Sequence, residues 1–167
     1  MRGVRTIEES GMHFICPENG SFEIEKYTQT SKVHHVRSVE FLLKRNGAVL
    51  FIEAKSSIPG TDGEGFQEYI AAVTEKFIHS LGMYVAVLLK RRKVTGEWEL
   101  PDSLKQVDLS TVQCKFVLVV NGASPNILLN VEDALRTSMY PVQQIAKFES
   151  HPIAIDDVKA RQKGLIV

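Results

Sequence analysis

The sequence predicts an α/β protein with a mixed central sheet flanked by helices. Three observations carry this prediction: an Asn46-Gly47 pair between two strand-like segments, two later apolar runs without interruption, and an amphipathic segment before those runs. Asn-Gly favours a two-residue type I′ turn between antiparallel strands. Unbroken apolar runs are typical of strands that are covered on both faces. Together these patterns indicate a sheet with helices on both sides.

The composition is that of one globular domain. The chain has 167 residues, of which 44% are hydrophobic, and a domain usually has ~100–200 residues. We divide this domain into a core of about residues 21–90 and a C-terminal elaboration over residues 91–167. Twenty basic residues balance 20 acidic ones, which excludes a global positive field that would draw the chain onto nucleic acid without specificity. Any nucleic-acid contact must therefore be local.

Cysteine content and hydropathy predict the compartment. Cys16 and Cys114 cannot form a disulfide framework, and neither has a Cys or His at zinc-finger spacing. Residues 1–11 carry charges throughout, unlike the apolar region of a signal peptide. The sequence contains no stretch of the ~18 apolar residues that a membrane span needs. We therefore expect a reduced, cytoplasmic protein without membrane contact.

Two hairpins are predicted in the N-terminal part of the chain. Met12–Cys16 and Ser21–Tyr27 are strand-like and flank the turn signal Pro17-Glu18-Asn19-Gly20. Arg37–Arg45 and Ala48–Lys55 flank the Asn-Gly pair and form the second hairpin.

A helix is predicted over Glu64–Leu81, where apolar residues recur at helical spacing and Gly82 is placed to end the helix. The first unbroken apolar run, Met83–Leu89, then reads as a buried strand. The helix stripe that we expect to pack on the sheet consists of Phe66, Ile70, Val73 and Phe77.

The C-terminal half predicts a second buried strand and two short helices. Phe116–Val120 is the other unbroken apolar run. Asn130 can cap a helix over Val131–Met139, and Pro141 can start a short helix that ends at Phe148. The pattern over residues 153–167 is weak.

The second hairpin brings charged side chains together. With a two-residue loop, Arg45 pairs with Ala48, and counting back along both strands places Glu40 opposite Glu53. Lys55, two residues beyond Glu53, lies on the same face. The opposite face is wholly apolar and is expected to pack on the core. Its residues are Val39, Phe41, Leu43, Leu50, Ile52 and Ala54.

Two facing glutamates suggest a metal site. Like charges opposed across a hairpin are destabilising, so a compensating group is expected. Mg²⁺ prefers hard oxygen ligands and is commonly held by one or two carboxylates, water and phosphate. Glu40 and Glu53 supply such a pair, and Lys55 could orient or deprotonate a water that attacks a phosphate. The alternative is a solvated salt-bridge cluster on an exposed face, but Leu42 and Phe51 on that face favour burial.

These residues resemble a known family. Val39-Glu40-Phe41-Leu42-Leu43 and Phe51-Ile52-Glu53-Ala54-Lys55-Ser56-Ser57, followed by a helix and an apolar strand, resemble the PD-(D/E)XK nuclease superfamily, which has the restriction-endonuclease-like fold. The resemblance covers roughly residues 21–90, about the αβββαβ core. It implies that Glu40, Glu53 and the backbone carbonyl of Ala54 bind the metal and that Lys55 is the catalytic lysine. It also implies an endonuclease or exonuclease that hydrolyses phosphodiester bonds, usually in DNA, with Mg²⁺ or with Mn²⁺ in its place.

The chain departs from the family pattern in three ways. Glu40 replaces the more common Asp, and Gln67 is followed four positions later by Ala71 rather than by the Tyr of the RecB-like branch. The acid that the family's first helix commonly contributes has no clear counterpart, and Glu8 and Glu9 are candidates. These departures leave open a noncatalytic nucleic-acid-binding or subunit-assembly module with the same fold. A protein-interaction domain with a solvated charged face is a further alternative.

Positive charge is concentrated between residues 26 and 45, which contain five basic residues and a single acidic one, Glu40. Such a local excess is the electrostatic footprint expected of a nucleic-acid partner. DNA or RNA, duplex or single strand, and assembly as a homodimer or a larger complex all stay open. The candidate contacts to nucleic acid are Lys44, Arg45, Ser57 and Gln67.

Overall fold

The computed structural model describes residues 3–94 and 96–167 and has a mixed α/β fold, as the sequence predicts. Its strands are β1 (Val4–Glu9), β2 (Met12–Pro17), β3 (Ser21–Phe22), β4 (Phe41–Arg45), β5 (Ala48–Lys55), β6 (Gln113–Val120) and β7 (Ile153–Asp156). Its helices are α1 (Ile24–Thr30), α2 (Glu64–Leu88), α3 (Asp102–Lys105), α4 (Pro125–Ala146) and α5 (Asp157–Gln162), with a 3₁₀ turn over Gly96–Trp98.

The main sheet is mixed and has the strand order β3-β4-β5-β6-β7. The first three strands are antiparallel, whereas β5, β6 and β7 run parallel. The turn between β4 and β5 is the predicted one, since Asn46 and Gly47 both have positive φ, 48° and 77°, as a type I′ turn requires. The predicted register is also confirmed, because Arg45 pairs with Ala48 and Phe41 pairs with Ile52.

Apolar side chains cover both faces of this sheet. On one face, α1 packs on β4, α2 on β5 and α4 on β7, and Phe51, Phe77 and Phe116 lie at the centre of that apolar cluster. On the other face, the β1–β2 hairpin and the C-terminal segment cover Phe41 and Ile52. The predicted helix stripe is confirmed as buried: Phe66, Ile70, Val73 and Phe77 are each less than one tenth exposed.

Helix α2 is longer than predicted, and the predicted strand over Met83–Leu89 is wrong. Gly82 lies within the helix, where a glycine costs only about 1 kcal/mol and where no atom lies within 4 Å of an added Cβ. Met83 and Tyr84 are buried and continue the apolar stripe. An apolar run of this length fits a buried helix as well as a strand. The strand parallel to β5 is instead β6.

By length and composition α2 could also cross a membrane, but 44% of its most apolar window is buried within the fold. Since this buried stripe packs on the sheet, α2 is a core helix.

The predicted pairing of Met12–Cys16 with Ser21–Tyr27 is wrong. β2 pairs with β1 through a turn at Ser10 and Gly11, which both have positive φ. The segment over Ser21–Tyr27 splits into the two-residue strand β3 and the helix α1. Ile24, Tyr27 and Thr28 are the buried residues of α1, at the i, i+3, i+4 spacing of a helix face. This spacing in the sequence is the pattern that could have predicted a helix here.

The C-terminal half also differs from its prediction. α4 is a single helix that begins after Ser124 with Pro125 in its first turn, so Asn130 does not cap it and Pro141 lies inside it. Proline suits the first turn because no intrahelical donor is needed there. The helix continues past Pro141 because Met139 and Gln143 are buried on either side. The weakly patterned tail contains β7, which pairs with β6, and α5.

Candidate functional site

Strand β5 places the two central residues of the predicted site. Glu53 and Lys55 share the face of β5 that carries Phe51, beneath the helices. The side chain of Glu53 is fully buried, whereas that of Lys55 is 33% exposed. A carboxylate in the middle of a sheet is costly unless charged or hydrogen-bonding partners surround it.

Two ammonium groups contact the same oxygen of Glu53. Glu53 Oε1 accepts from Lys76 Nζ at 2.8 Å and lies 2.9 Å from Lys55 Nζ. Lys76 comes from the middle of α2, and its side chain is 16% exposed. Burial alone lowers the pKa of Lys76, but the charge of Glu53, the hydrogen bond to it and the charges of Glu40 and Glu25 outweigh that effect and raise the pKa. Lys76 is therefore a charged partner of the buried acid.

The second carboxylate oxygen of Glu53 has no such partner. Among the described residues, no donor lies within hydrogen-bond distance of Glu53 Oε2, although this atom is buried. A buried polar group without a partner usually costs about 1–3 kcal/mol, and more when it is charged. The hydroxyl of Tyr69, also on α2, is buried and likewise lacks a partner among those residues. Burial, and then the charge of Glu53, raise the pKa of this phenol.

Glu40 is held next to this pair by contacts to two helices. The hydroxyls of Ser38 and Thr28 are 2.6 Å apart, which ties the segment before β4 to α1. The backbone N–H of Val39 donates to the Ser80 hydroxyl at 2.8 Å, which ties the same segment to α2. Glu40 therefore emerges from an anchored backbone one residue before the register of β4 and β5 begins.

A third carboxylate reaches the site from α1. Burial raises the pKa of Glu40 to about 9, helped by a side-chain hydrogen bond with Glu25 and by the charges of Glu53, Glu25 and Glu9. Glu25 also lies 3.6 Å from Lys76 Nζ. We call Glu25, Glu40, Glu53, Lys55 and Lys76 the Glu53 cluster.

The Glu53 cluster is electrically balanced. With Glu40 protonated, as its raised pKa indicates, two negative charges remain and two ammonium groups offset them. Lys76 Nζ bridges Glu53 and Glu25 and so separates two of the three acids. The part of the chain that the structure describes contains no group of three His, Cys, Asp or Glu side chains arranged to hold a metal ion.

Sequence reasoning did not find Glu25 and Lys76. The candidates for an additional acid were Glu8 and Glu9, but both lie on β1 rather than on a helix. Glu8 is exposed, whereas Glu9 is half-buried and its charge acts on Glu40. Lys76 is on the predicted helix, and only the docking of that helix reveals its partner.

The Glu53 cluster opens into a cleft of about 350 Å³. Glu25, Lys55 and Lys76 line it, and Arg37 adds a cation at its wall, where it lies 3.6 Å from Glu75. The cleft therefore offers one carboxylate and three cationic side chains to a small polar ligand.

The predicted nucleic-acid contacts lie apart from this cleft. Lys44 and Arg45 are at the turn end of β4, four and five residues from Glu40, or about 13–17 Å at strand spacing. Ser57 and Gln67 are exposed, and among the described residues neither lines the cleft. Ala54, the predicted backbone ligand, directs its side chain to the opposite face of the sheet. The structure thus brings together Glu40, Glu53 and Lys55 but not the four contacts.

The chain matches no family model, no curated protein and no solved structure. The functional argument below therefore depends on the geometry of the Glu53 cluster.

Proposed function

We propose that this chain is a metal-dependent nuclease of the restriction-endonuclease-like, PD-(D/E)XK type, which hydrolyses phosphodiester bonds with DNA as the expected substrate. The observation that carries the proposal is the buried Oε2 of Glu53, which lacks a partner among the described residues beside two further carboxylates. A divalent cation would satisfy that oxygen and oppose the burial and the neighbouring negative charges that raise the pKa of Glu40. The strand order and the acid from α1 also support the proposal.

The donors are of the type that Mg²⁺ or Mn²⁺ takes, although among the described residues they are not arranged as a ready metal site. Glu53 would hold the ion through Oε2, with Glu40 and Glu25 as further carboxylate ligands and the carbonyl of Ala54 as the backbone ligand that the resemblance implies. These are the hard oxygen ligands that such ions take. When bound, the ion would polarise the phosphoryl oxygen and make a water more acidic.

The cationic side chains of the site have separate tasks. Lys55 is one-third exposed and lines the cleft, so its ammonium can donate to a phosphate oxygen and stabilise the charge that develops there. Lys76 is more deeply buried and bridges two acids, which makes it a counter-charge for Glu53. Arg37 at the wall of the cleft can contact a neighbouring phosphate.

Cleavage assays with matched variants test this proposal. Single- and double-stranded DNA and RNA are incubated with Mg²⁺ or Mn²⁺ and the wild type, Lys55→Ala, Glu53→Gln or Lys159→Ala, the last an exposed lysine on α5 that serves as the control. We expect at least a ~100-fold loss of metal-dependent cleavage for the first two variants, typical of lost transition-state contacts, and wild-type cleavage for the control. Absence of metal-dependent cleavage from all substrates, or equal cleavage by every variant, would refute the nuclease.

One observation favours a noncatalytic nucleic-acid-binding or subunit-assembly module instead. Lys76 already supplies a cation between Glu53 and Glu25, so the cluster is neutral without a metal. Titration calorimetry separates the two functions: the nuclease requires wild-type protein to bind Mn²⁺ with Glu53-dependent affinity. If only Lys76→Met binds the ion, the resident lysine has replaced the metal and the module is the better description.

We retain the expectation of a cytoplasmic protein, alone or in a homodimer or larger complex. Cys16 and Cys114 are both buried free thiols. Burial raises the pKa of Cys16 to about 12 and that of Cys114 to about 11, so both thiols are unreactive core residues.

A further inference from the structure

A second recess lies on the other face of the main sheet and at the opposite end of β5. It has a volume of about 330 Å³ and includes Arg45, Leu50 and Lys115 in its lining. Leu50 packs with the second core cluster, whereas Glu53 and Lys55 are on the face of Phe51. Five residues separate Leu50 from Lys55, or about 17 Å along the strand. The recess therefore shares no residue with the Glu53 cluster.

Lys115 indicates that this part of the sheet is open. It lies on β6, an interior strand, and pairs with Leu50 on β5. Interior strands of a covered sheet are normally apolar, and the other residues of β6 from Phe116 to Val120 are all buried. Lys115 is exposed because the β1–β2 hairpin and the C-terminal segment cover the other end of this face. The result is an apolar floor with an ammonium group beside it.

Arg45 is held at the rim by the backbone of the C-terminal segment. Its Nη2 donates to the carbonyl of Lys163 at 2.5 Å. The chain turns at Gly164, which has a φ of 65°, and an added Cβ there would lie 3.4 Å from Arg45 Nη2. A guanidinium has five N–H donors, and the contact with Lys163 uses one. Arg45 is thus held in a fixed orientation, and its other N–H groups can still donate to a ligand.

His151 is also oriented at the edge of the recess. The side-chain amide of Gln143 donates through Nε2 to the Phe148 carbonyl at 3.2 Å, which turns its Oε1 towards His151. His151 Nδ1 is 2.8 Å from that oxygen, so Nδ1 carries the hydrogen and donates. Gln143 is 8% exposed, and this buried amide fixes the imidazole ring.

The lining has the charge of an anion site. Arg45, Lys115 and Lys163 are cationic, and among the described residues no carboxylate lines the recess. Glu149 is exposed and lines the shallower recess next to it. Three permanent cations suit a dianion better than a monoanion. The floor is apolar and includes Leu50, Val117, Ile153 and Leu165.

We propose that this recess binds a small phosphate monoester that also carries a flat group with apolar faces, as a mononucleotide carries its base. The phosphate lies among Arg45, Lys115 and Lys163, and the flat group lies on the floor. Arg supplies a planar fork of donors that matches phosphate oxygens. The volume is at the lower end of the ~300–1,000 Å³ that is typical of ligand pockets, which favours a small molecule.

The test is a titration of ¹⁵N-labelled protein with adenosine 5′-monophosphate, adenosine and inorganic phosphate, each in excess EDTA so that no divalent ion joins a ligand to the Glu53 cluster. We expect the monophosphate to give saturable amide shifts at residues 113–117 and 150–153. Its affinity should exceed that of adenosine and of phosphate by at least ~10-fold, because each lacks one half of the contacts. Adenosine or inorganic phosphate binding as tightly as the monophosphate, or shifts centred on residues 53–55, would overturn the proposal.

Variants sharpen the assignment. Lys115→Gln and Lys163→Gln should each weaken binding of the monophosphate about 5-fold, as expected for one exposed charged contact. Lys159→Gln is the matched control on neighbouring α5 and should bind like the wild type. Binding that is unchanged in both recess variants, or weakened equally in the control, would refute the site. These binding results do not depend on the nuclease activity proposed above: if the cleavage assays find no nuclease, the prediction for the recess stays the same.

Discussion

The two ends of β5 carry charge in opposite ways. At its C-terminal end, Glu53 is fully buried and Lys76 and Lys55 contact one of its oxygens. At its N-terminal end, Lys115 and Lys163 are exposed around a recess that has no acid among its described lining residues. Buried charges interact strongly because little water screens them, whereas exposed charges interact weakly with one another. The free energy of unfolding should therefore depend on the charges at the C-terminal end of β5. At the N-terminal end, the main role of charge should be ligand binding.

The largest expected effect comes from Lys76→Met. Removing one member of a buried ion pair usually costs about 3–5 kcal/mol because the other charge stays behind. Since Lys55 still contacts Glu53, we expect a loss of about 2–3 kcal/mol in the free energy of unfolding. Urea denaturation in EDTA measures this, with Lys159→Met as the exposed control. Added Mn²⁺ should restore part of the loss by binding to the uncovered acids.

A double variant tests whether Lys76 acts through Glu53. Glu53→Gln together with Lys76→Met should be less destabilised than the sum of the two single variants, because no uncompensated charge is left. Strict additivity would mean that Lys76 stabilises the fold by packing alone. Stability would then not depend on charge at the C-terminal end of β5, and the contrast between its two ends would be wrong.

An intermediate effect is expected from pH. The folded protein raises the pKa of Glu40 from an ordinary 4.5 to about 9, so it binds this proton more tightly than the unfolded chain does. The associated stability is complete below pH 4.5 and is lost as the pH rises through 9, at no more than ~1.4 kcal/mol per pH unit. Between pH 6 and pH 8 we expect the wild type to lose about 2 kcal/mol more than Glu40→Gln, whose amide does not titrate. Parallel curves for the two proteins in urea denaturation would contradict the raised pKa of Glu40.

The smallest effect is expected at the open end of the sheet. Lys115→Gln should change the free energy of unfolding by less than about 0.5 kcal/mol, as is usual for an exposed side chain. The same urea experiment measures it beside Lys76→Met. A loss above about 1 kcal/mol would mean that Lys115 is structurally paired, and the two ends would then be alike.

Local patterns predicted the part of the site that lies on one hairpin. Asn46-Gly47 fixes the register, and that register alone places Glu40, Glu53 and Lys55 on a common face. Glu25 and Lys76 come from separate helices, and their distance from Glu53 depends on how those helices dock. The i, i+3, i+4 spacing around Glu25 predicts the helix at best, and not the partner of its carboxylate.

The errors in the fold have a related cause. Met83 and Tyr84 continue α2 because the sheet and the Leu104 carbonyl, to which the Tyr84 hydroxyl donates at 2.7 Å, provide a buried surface for another turn. Propensity at Gly82 favours a stop by only about 1 kcal/mol, which tertiary burial exceeds. The competition between helix propensity and tertiary burial is decided by the packed structure. A local window of sequence does not show which of the two is larger.

The contact between Lys76 and Glu53 also selects one position of α2 on the sheet. The apolar stripe of α2 repeats almost every turn, so sliding the helix by one turn would exchange one large apolar residue for another at nearly every contact. The same slide would move Lys76 by about 5.4 Å and break its 2.8 Å contact with Glu53. Mismatched apolar side chains would oppose such a slide, and a buried carboxylate without its ammonium partner would add several kcal/mol to its cost. Lys76 thus acts with the Ser80 and Tyr84 hydrogen bonds to set the alignment of a 25-residue helix.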